Sequence, residues 1–122
     1  MQVKRVIETL KRTYPGKYIV LNPRDNPTEI ICEVEPASEH QDYSKAIAVI
    51  DLSLPHFHKI TTEVYNVIKG ALILTTNDEQ ITLNEGDSFE IKPDIIHSAK
   101  GNETWVEVIS RPGWTFEDHI VV

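Results

Sequence analysis

The sequence predicts an all-β domain carrying one N-terminal helix. Helical spacing of apolar residues is confined to the first fourteen positions, and from Lys17 onward the chain breaks into short runs rich in Val, Ile and Thr. Turn residues separate these runs throughout. Short strands punctuated in this way build sandwiches or barrels.

Val3, Val6, Ile7 and Leu10 recur at three- and four-residue intervals, with Lys4, Arg5, Glu8, Lys11 and Arg12 on the opposite face. That spacing predicts an amphipathic helix within residues 1–14. Tyr14-Pro15-Gly16 ends it, because proline disfavours helix in the residue before it and glycine permits a turn. Strands are expected over 18–21, 29–35, 46–53, 63–68, 71–76, 80–83, 87–91, 97–100 and 104–110. Turns are expected at Lys69-Gly70, Asn77-Asp78, Glu85-Gly86, Pro93-Asp94, Gly101-Asn102 and Pro112-Gly113. Residues 36–44 lack periodicity and read as a polar surface loop, with His40 solvated.

A chain of 122 residues with 40% hydrophobic and 25% charged residues has the composition of an ordinary globular domain. One domain over 1–122 is expected, with no linker to divide it. A net charge of -7 and the lack of a basic run exclude a phosphate-binding footprint, so no nucleic-acid partner is expected. No apolar stretch approaches the roughly 20 residues that span a bilayer, and the N-terminus lacks a signal-peptide core. The expectation is no membrane partner and a cytoplasmic location. Cys32 is the only cysteine, which rules out an internal disulfide or a thiolate cluster and leaves a small buried strand residue.

The chemistry-bearing residues lie in the middle of the chain. His56 and His58 are two apart, and on an extended strand both imidazoles project from one face. Glu63 lies five residues beyond His58, an odd step, so a bend or bulge within Lys59-Ile60-Thr61-Thr62 is required to bring it to the same side. His97, after the turn at Lys92-Pro93-Asp94, is placed to close the group from a neighbouring strand. Three neutral imidazoles and a carboxylate suit a divalent transition metal: iron, manganese, nickel, cobalt, copper or zinc. Such a set leaves open positions for water, a substrate or dioxygen.

The stretch from Asp51 to Lys100 resembles both motifs of the cupin superfamily. The first motif is carried by His56, His58, Glu63 and Gly70, and the second by Gly86, Asp87, Pro93 and His97. Ile50 replaces the glycine that often opens the first motif, and Lys92 and Asp94 replace the usual proline and glycine of the second turn. All four ligand positions remain. The resemblance implies a double-stranded β-helix, or jelly-roll barrel, with the motifs inside 45–111 and one metal ion on His56, His58, Glu63 and His97. It further implies a small-molecule ligand and a homodimer. Trp105–Ser110 and residues 117–121 are also similar to the end of the cupin domain of mannose-6-phosphate isomerases, which points to a sugar or another hydroxy-carbonyl ligand.

Tyr65, two residues beyond Glu63, shares its face and either lines the pocket or fills the core, the latter being preferred. Phe57 faces away from the metal group. Trp105 and Trp114 are available to cover a barrel mouth or a subunit contact, and His119 beside Asp118 reads as a polar tail pair. No Gly-rich phosphate loop, nucleophile elbow or Walker-type lysine is present, which argues against nucleotide hydrolysis and serine-type acyl transfer. The functions expected are a metal-dependent isomerase, epimerase or dioxygenase, or alternatively a non-catalytic module that senses or carries its ligand.

Overall fold

The computed structural model describes residues 1–122. Helix α1 (Val3–Thr13) precedes β1 (Tyr18–Asn22), β2 (Glu29–Glu35), β3 (Ser44–Phe57), β4 (Thr62–Lys69) and β5 (Leu72–Thr76). Then come β6 (Glu79–Leu83), β7 (Ser88–Ile91), β8 (His97–Arg111), a 3-10 turn at Phe116–Asp118 and β9 (Ile120–Val121). Neighbours run in the order β1-β2-β3-β8-β4-β7, with the β5–β6 hairpin attached to β8 and β9 attached to β3. Every pairing is antiparallel. This is the expected all-β jelly roll with one short helix.

Strand β8 organises the barrel. It pairs with β3 over most of its length, with β5 along its first residues and with β4 along its last. The sequence divides this stretch into two strands with a turn at Gly101-Asn102, whereas the structure holds one strand bent by a bulge. Opposite the bulge the register slips between Ile50 and Leu52, and Glu103 adopts a φ of 47°. A side chain at Gly101 would stand 2.5 Å from Thr104 Oγ1 and 2.8 Å from the Ile50 carbonyl oxygen. Glycine therefore allows the two strands to approach, and the chain turns a barrel corner without leaving the sheet.

Strand β3 also outruns the predicted 46–53. Its ladder continues from Ser53 opposite Ala99 to His56 opposite His97, skipping the residues between. Pro55 falls in that irregularity, where its missing N–H costs no ladder bond. The predicted β2 matches residue for residue, and the turn at Asp94 forms as expected, with a φ of 67°. An aspartate there takes the left-handed conformation that glycine would otherwise supply.

Alternation along β2 and β3 builds two cores. Ile30, Cys32, Ile47 and Val49 face α1 and pack with Val6 and Leu10, joined by the half-buried Trp105. Ala48 and Ile50 face the barrel interior with Tyr65, Val67, Leu72, Leu74, Ile91 and Val106. The helix thus covers the outside of the sheet, and the inner face of β2, which carries Glu29, Ile31 and Glu33, lines a cavity. Leu10 has no exposed surface. Leu10→Ala is expected to destabilise the protein by about 2–5 kcal/mol in urea unfolding, with metal content unchanged because α1 touches none of the proposed ligands.

Candidate metal centre

His56, His58, Glu63 and His97 come together inside the barrel, all four buried, with their ligand atoms within 4.8 Å of one another. His56 and His97 sit directly opposite each other across the β3–β8 ladder, and Glu63 enters from β4. The odd step to Glu63 is resolved where it was expected. β3 ends at Phe57, the chain bends at Lys59 and Ile60, and β4 begins at Thr62.

That bend has a dedicated acceptor. The Asp118 carboxylate receives the backbone N–H groups of Lys59 at 2.8 Å, Ile60 at 3.2 Å and Thr61 at 3.1 Å. Burial alone would raise the Asp118 pKa, but these three donors outweigh it and hold the group below the ordinary carboxylate value.

Backbone carbonyls orient all three imidazoles. The Nδ1 atoms of His56, His58 and His97 lie 2.8, 2.9 and 3.0 Å from the carbonyl oxygens of Leu54, Asp118 and Ile95. A carbonyl can only accept, so each Nδ1 carries the hydrogen and each neutral ring keeps its lone pair on Nε2. Glu63 Oε1 lies 3.0 Å from His58 Nε2 and 3.1 Å from His97 Nε2. Two lone-pair atoms at that distance repel unless a proton or a cation stands with them. His58 Nε2 is buried without a hydrogen-bond partner, whereas His97 Nε2 is in hydrogen-bonding geometry with Glu63. A cation at the common focus answers all the donors at once, and bonds of about 2.0–2.2 Å need donors no more than roughly 4.4 Å apart. The group therefore fits a metal ion after closing by a few tenths of an ångström, with the element left open.

The charges on His56 and Glu63 agree with that fit, whereas metal-free His58 favours a proton that an ion would have to displace. Burial, reinforced by the neighbouring His97, depresses the His56 pKa to about 4, which leaves its imidazole neutral. Burial also opposes a charge on His58, but the Glu63 carboxylate outweighs it and raises that pKa. At Glu63, burial is overcome by His58 and His97, and the carboxyl stays ionised well below its usual range.

A cavity of about 330 Å³ opens beside the group, with His56 and Glu63 in its wall. Tyr65 belongs to the core and also lines this cavity, its ring centroid 6.1 Å from that of His97. Trp114 lines the cavity as well, whereas Trp105 packs toward the helix. The exposed side chains of Leu54, Phe116 and Val121 also belong to its wall.

A family model for the cupin domain matches residues 46–110, more than half of the chain. The chain belongs to the cupin family. No curated protein matches this cupin. Among solved structures, the Streptomyces nucleoside dehydratase Pac13 superposes with a TM-score of 0.77 at 11% identity, covering 89% of this cupin and 87% of Pac13. KdgF from Halomonas superposes with a TM-score of 0.64 at 19% identity, covering 78% of this chain and 94% of KdgF. A variant of Bacillus subtilis oxalate decarboxylase, a protein with Mn(II) centres, superposes with a TM-score of 0.76 at 16% identity, covering 89% of this chain and 31% of its own. At these identities the likeness is one of fold. The expected likeness to mannose-6-phosphate isomerases is not shown by these comparisons, and residues 117–121 lie beyond the matched family region.

Three residues of this cupin have roles that its sequence conceals. His119 is no solvated tail residue: its ring stacks on His56 with centroids 4.4 Å apart, and its buried Nδ1 has no partner. Asp118 shapes the bend and orients His58. Glu29, 8% exposed on the inner face of β2, lines the cavity and receives one long hydrogen bond, 3.4 Å from Asn22 Nδ2. The strand pattern marks Glu29 as inward-facing, but nothing local places it beside a cavity. His40 is likewise held, its Nε2 3.2 Å from Glu35 and its ring stacked on Tyr43.

Asp118→Ala is expected to lower metal affinity about 10–100-fold, as is usual for residues that orient ligands; competition with a chromogenic chelator measures it. Burial raises the Glu29 pKa from 4.5 to about 7. The folded metal-free protein therefore binds more protons than the unfolded chain between those values. The contribution of Glu29 to stability is complete below about 4.5 and is lost as pH rises through about 7. Glu29→Gln is expected to flatten this fall, so that the variant exceeds the parent in urea midpoint above the window and gains nothing below it.

Proposed function

We propose that this cupin holds one divalent transition metal on His56, His58, Glu63 and His97, and acts on a small polar molecule bound in the adjoining cavity. The observation that carries this reading is the convergence of three imidazoles, each with Nδ1 tied to a carbonyl, on a carboxylate at a cavity wall. Orientation by carbonyls leaves each Nε2 lone pair free, which is how ligating histidines are commonly prepared. When bound, the ion would supply Lewis-acid polarisation of a ligand oxygen, as isomerisation and epimerisation need, or dioxygen chemistry if it is redox-active iron.

The side chains of the chain do the rest. Glu63 brings one negative charge to the centre, and Asp118 fixes the bend that delivers it. The cavity wall at Ile31, Ala48 and Val108 offers an apolar surface to whatever rests there. The cupin neighbours include a nucleoside dehydratase structure with uridine bound and an oxalate decarboxylase, which supports a small-molecule ligand without selecting one. The alternative is a binding module without turnover, motivated by the lack of any general acid or base in the sequence apart from the ligands. Glu29 in the cavity wall weakens that motive by adding a titratable carboxyl beyond the ligands.

Elemental analysis of protein purified without added metal, beside the His56→Ala/His58→Ala double variant, tests the centre. Near-stoichiometric iron, manganese, nickel, cobalt, copper or zinc in the parent and its loss from the variant are expected. Glu63→Gln is expected to lose metal as well, since the amide removes the only negative ligand. A parent that neither contains metal nor takes it up on reconstitution sinks this reading.

A further inference from the structure

The cavity wall holds polar groups beyond the metal ligands, and those on β1 and β2 come from strands that carry no ligand. Glu29 stands on the inner face of β2, with Asn22 beside it on β1 and Ser53 in the same wall. Glu29 is buried, no lysine or arginine pairs with it, and its one hydrogen bond is long. A carboxyl in that condition keeps acceptor capacity that nothing in the protein uses.

The charged side chains of the wall are unbalanced. Glu29, Glu33, Glu35 and Glu63 line the cavity, and Lys45 is the only lysine or arginine among the lining residues. Its Nζ is already engaged, 3.3 Å from Glu107 and 3.9 Å from Glu35. A phosphate or second carboxylate reaching away from the metal would meet no free cation, and like charges there are repulsive. A hydroxyl meets what it needs: an acceptor on Glu29, and an amide on Asn22 that both donates and accepts. At about 330 Å³ the cavity is at the small end of the range for ligand pockets.

We propose that Glu29 and Asn22 are the second anchoring point of this cavity and select a small uncharged, hydroxyl-bearing ligand of monosaccharide size over a phosphorylated or dicarboxylate one. The proposal deepens the metal-centre reading and rests on it for the first anchoring point. The preference for a neutral ligand keeps the sugar to which the C-terminal resemblance points and disfavours its phosphate ester. Ile31 and Ala48, which form the apolar wall near Glu29, suit the C–H face of such a ligand.

Isothermal titration calorimetry of the metal-loaded protein with D-mannose and D-xylose, and with D-mannose 6-phosphate and oxalate, tests the proposal. The neutral sugars are expected to bind at millimolar concentration or below, and more tightly than either anion. Glu29→Met, which keeps volume and removes the acceptor, is expected to weaken sugar binding about tenfold or more. Glu29→Gln retains an acceptor and is expected to keep much of the binding. Asn22→Ala, at an exposed position and keeping the carbonyl that accepts the Thr28 N–H, is expected to weaken it several-fold. Tighter binding of the phosphate ester or of oxalate, unchanged sugar affinity in Glu29→Met and Asn22→Ala, or no binding of either sugar would each overturn the proposal. Metal content measured on the same samples separates the two readings: a parent without metal refutes the centre, whereas altered sugar binding at full metal content concerns Glu29 and Asn22 alone.

Discussion

The β3–β8 ladder is the constraint on which the rest depends. It sets His56 directly opposite His97, and residues paired across strands have side chains close enough to share one partner. A one-residue slip would send every side chain of one strand to the other face. The bulges at Gly101 and around Pro55 let this ladder stay continuous while the sheet curves. Without that curvature β4 could not reach the last residues of β8 and bring Glu63 to the histidines.

The C-terminal segment completes what the ladder begins. β9 pairs with the end of β3, Val121 opposite His56 and Ile120 opposite Phe57, and so places the 3-10 turn against the bend before β4. From there Asp118 acts twice, its carboxylate gathering three N–H groups of the bend and its carbonyl turning His58. An ionised acceptor on three backbone donors is stronger than three neutral bonds made separately. His119 follows next in the chain and is carried onto His56 as a consequence. The position of Glu63 is thus decided by a residue 55 places later in the sequence.

Periodicity and turn chemistry made much of this legible. The spacing of Val3, Val6 and Leu10 marked the helix, β2 was bounded correctly, and the parity of Glu63 demanded the bend that the structure contains. Strand breaks are not legible where glycine and proline serve bulges. Gly101 and Pro55 punctuate a sequence in the same way whether the chain turns back or merely bends, and only the partner strand decides. Asp118, His119 and Glu29 were illegible for a related reason. Each owes its role to groups far along the chain, and a tail Asp-His pair or an acid in a strand has no local signature of that role.

Glu29 carries the argument furthest, because its position follows from packing while its identity does not. Ile30 and Cys32 must face α1 to build the outer core, and alternation then sends Glu29, Ile31 and Glu33 inward. An apolar residue at 29 would satisfy that geometry and avoid the desolvation that drives the Glu29 pKa up to about 7. The carboxyl returns little to the fold, since its hydrogen bond to Asn22 is long and no cation pairs with it. Such costs are more readily understood at functional sites than in structural cores. The interior therefore has two polar centres of different origin: one assembled by the β3–β8 ladder and the bend, the other projected inward because a helix covers the opposite face of β2. A ligand held between them would be gripped by β1 and β2 on one side and by β3, β4 and β8 on the other, and its orientation would be set by the whole barrel instead of one strand.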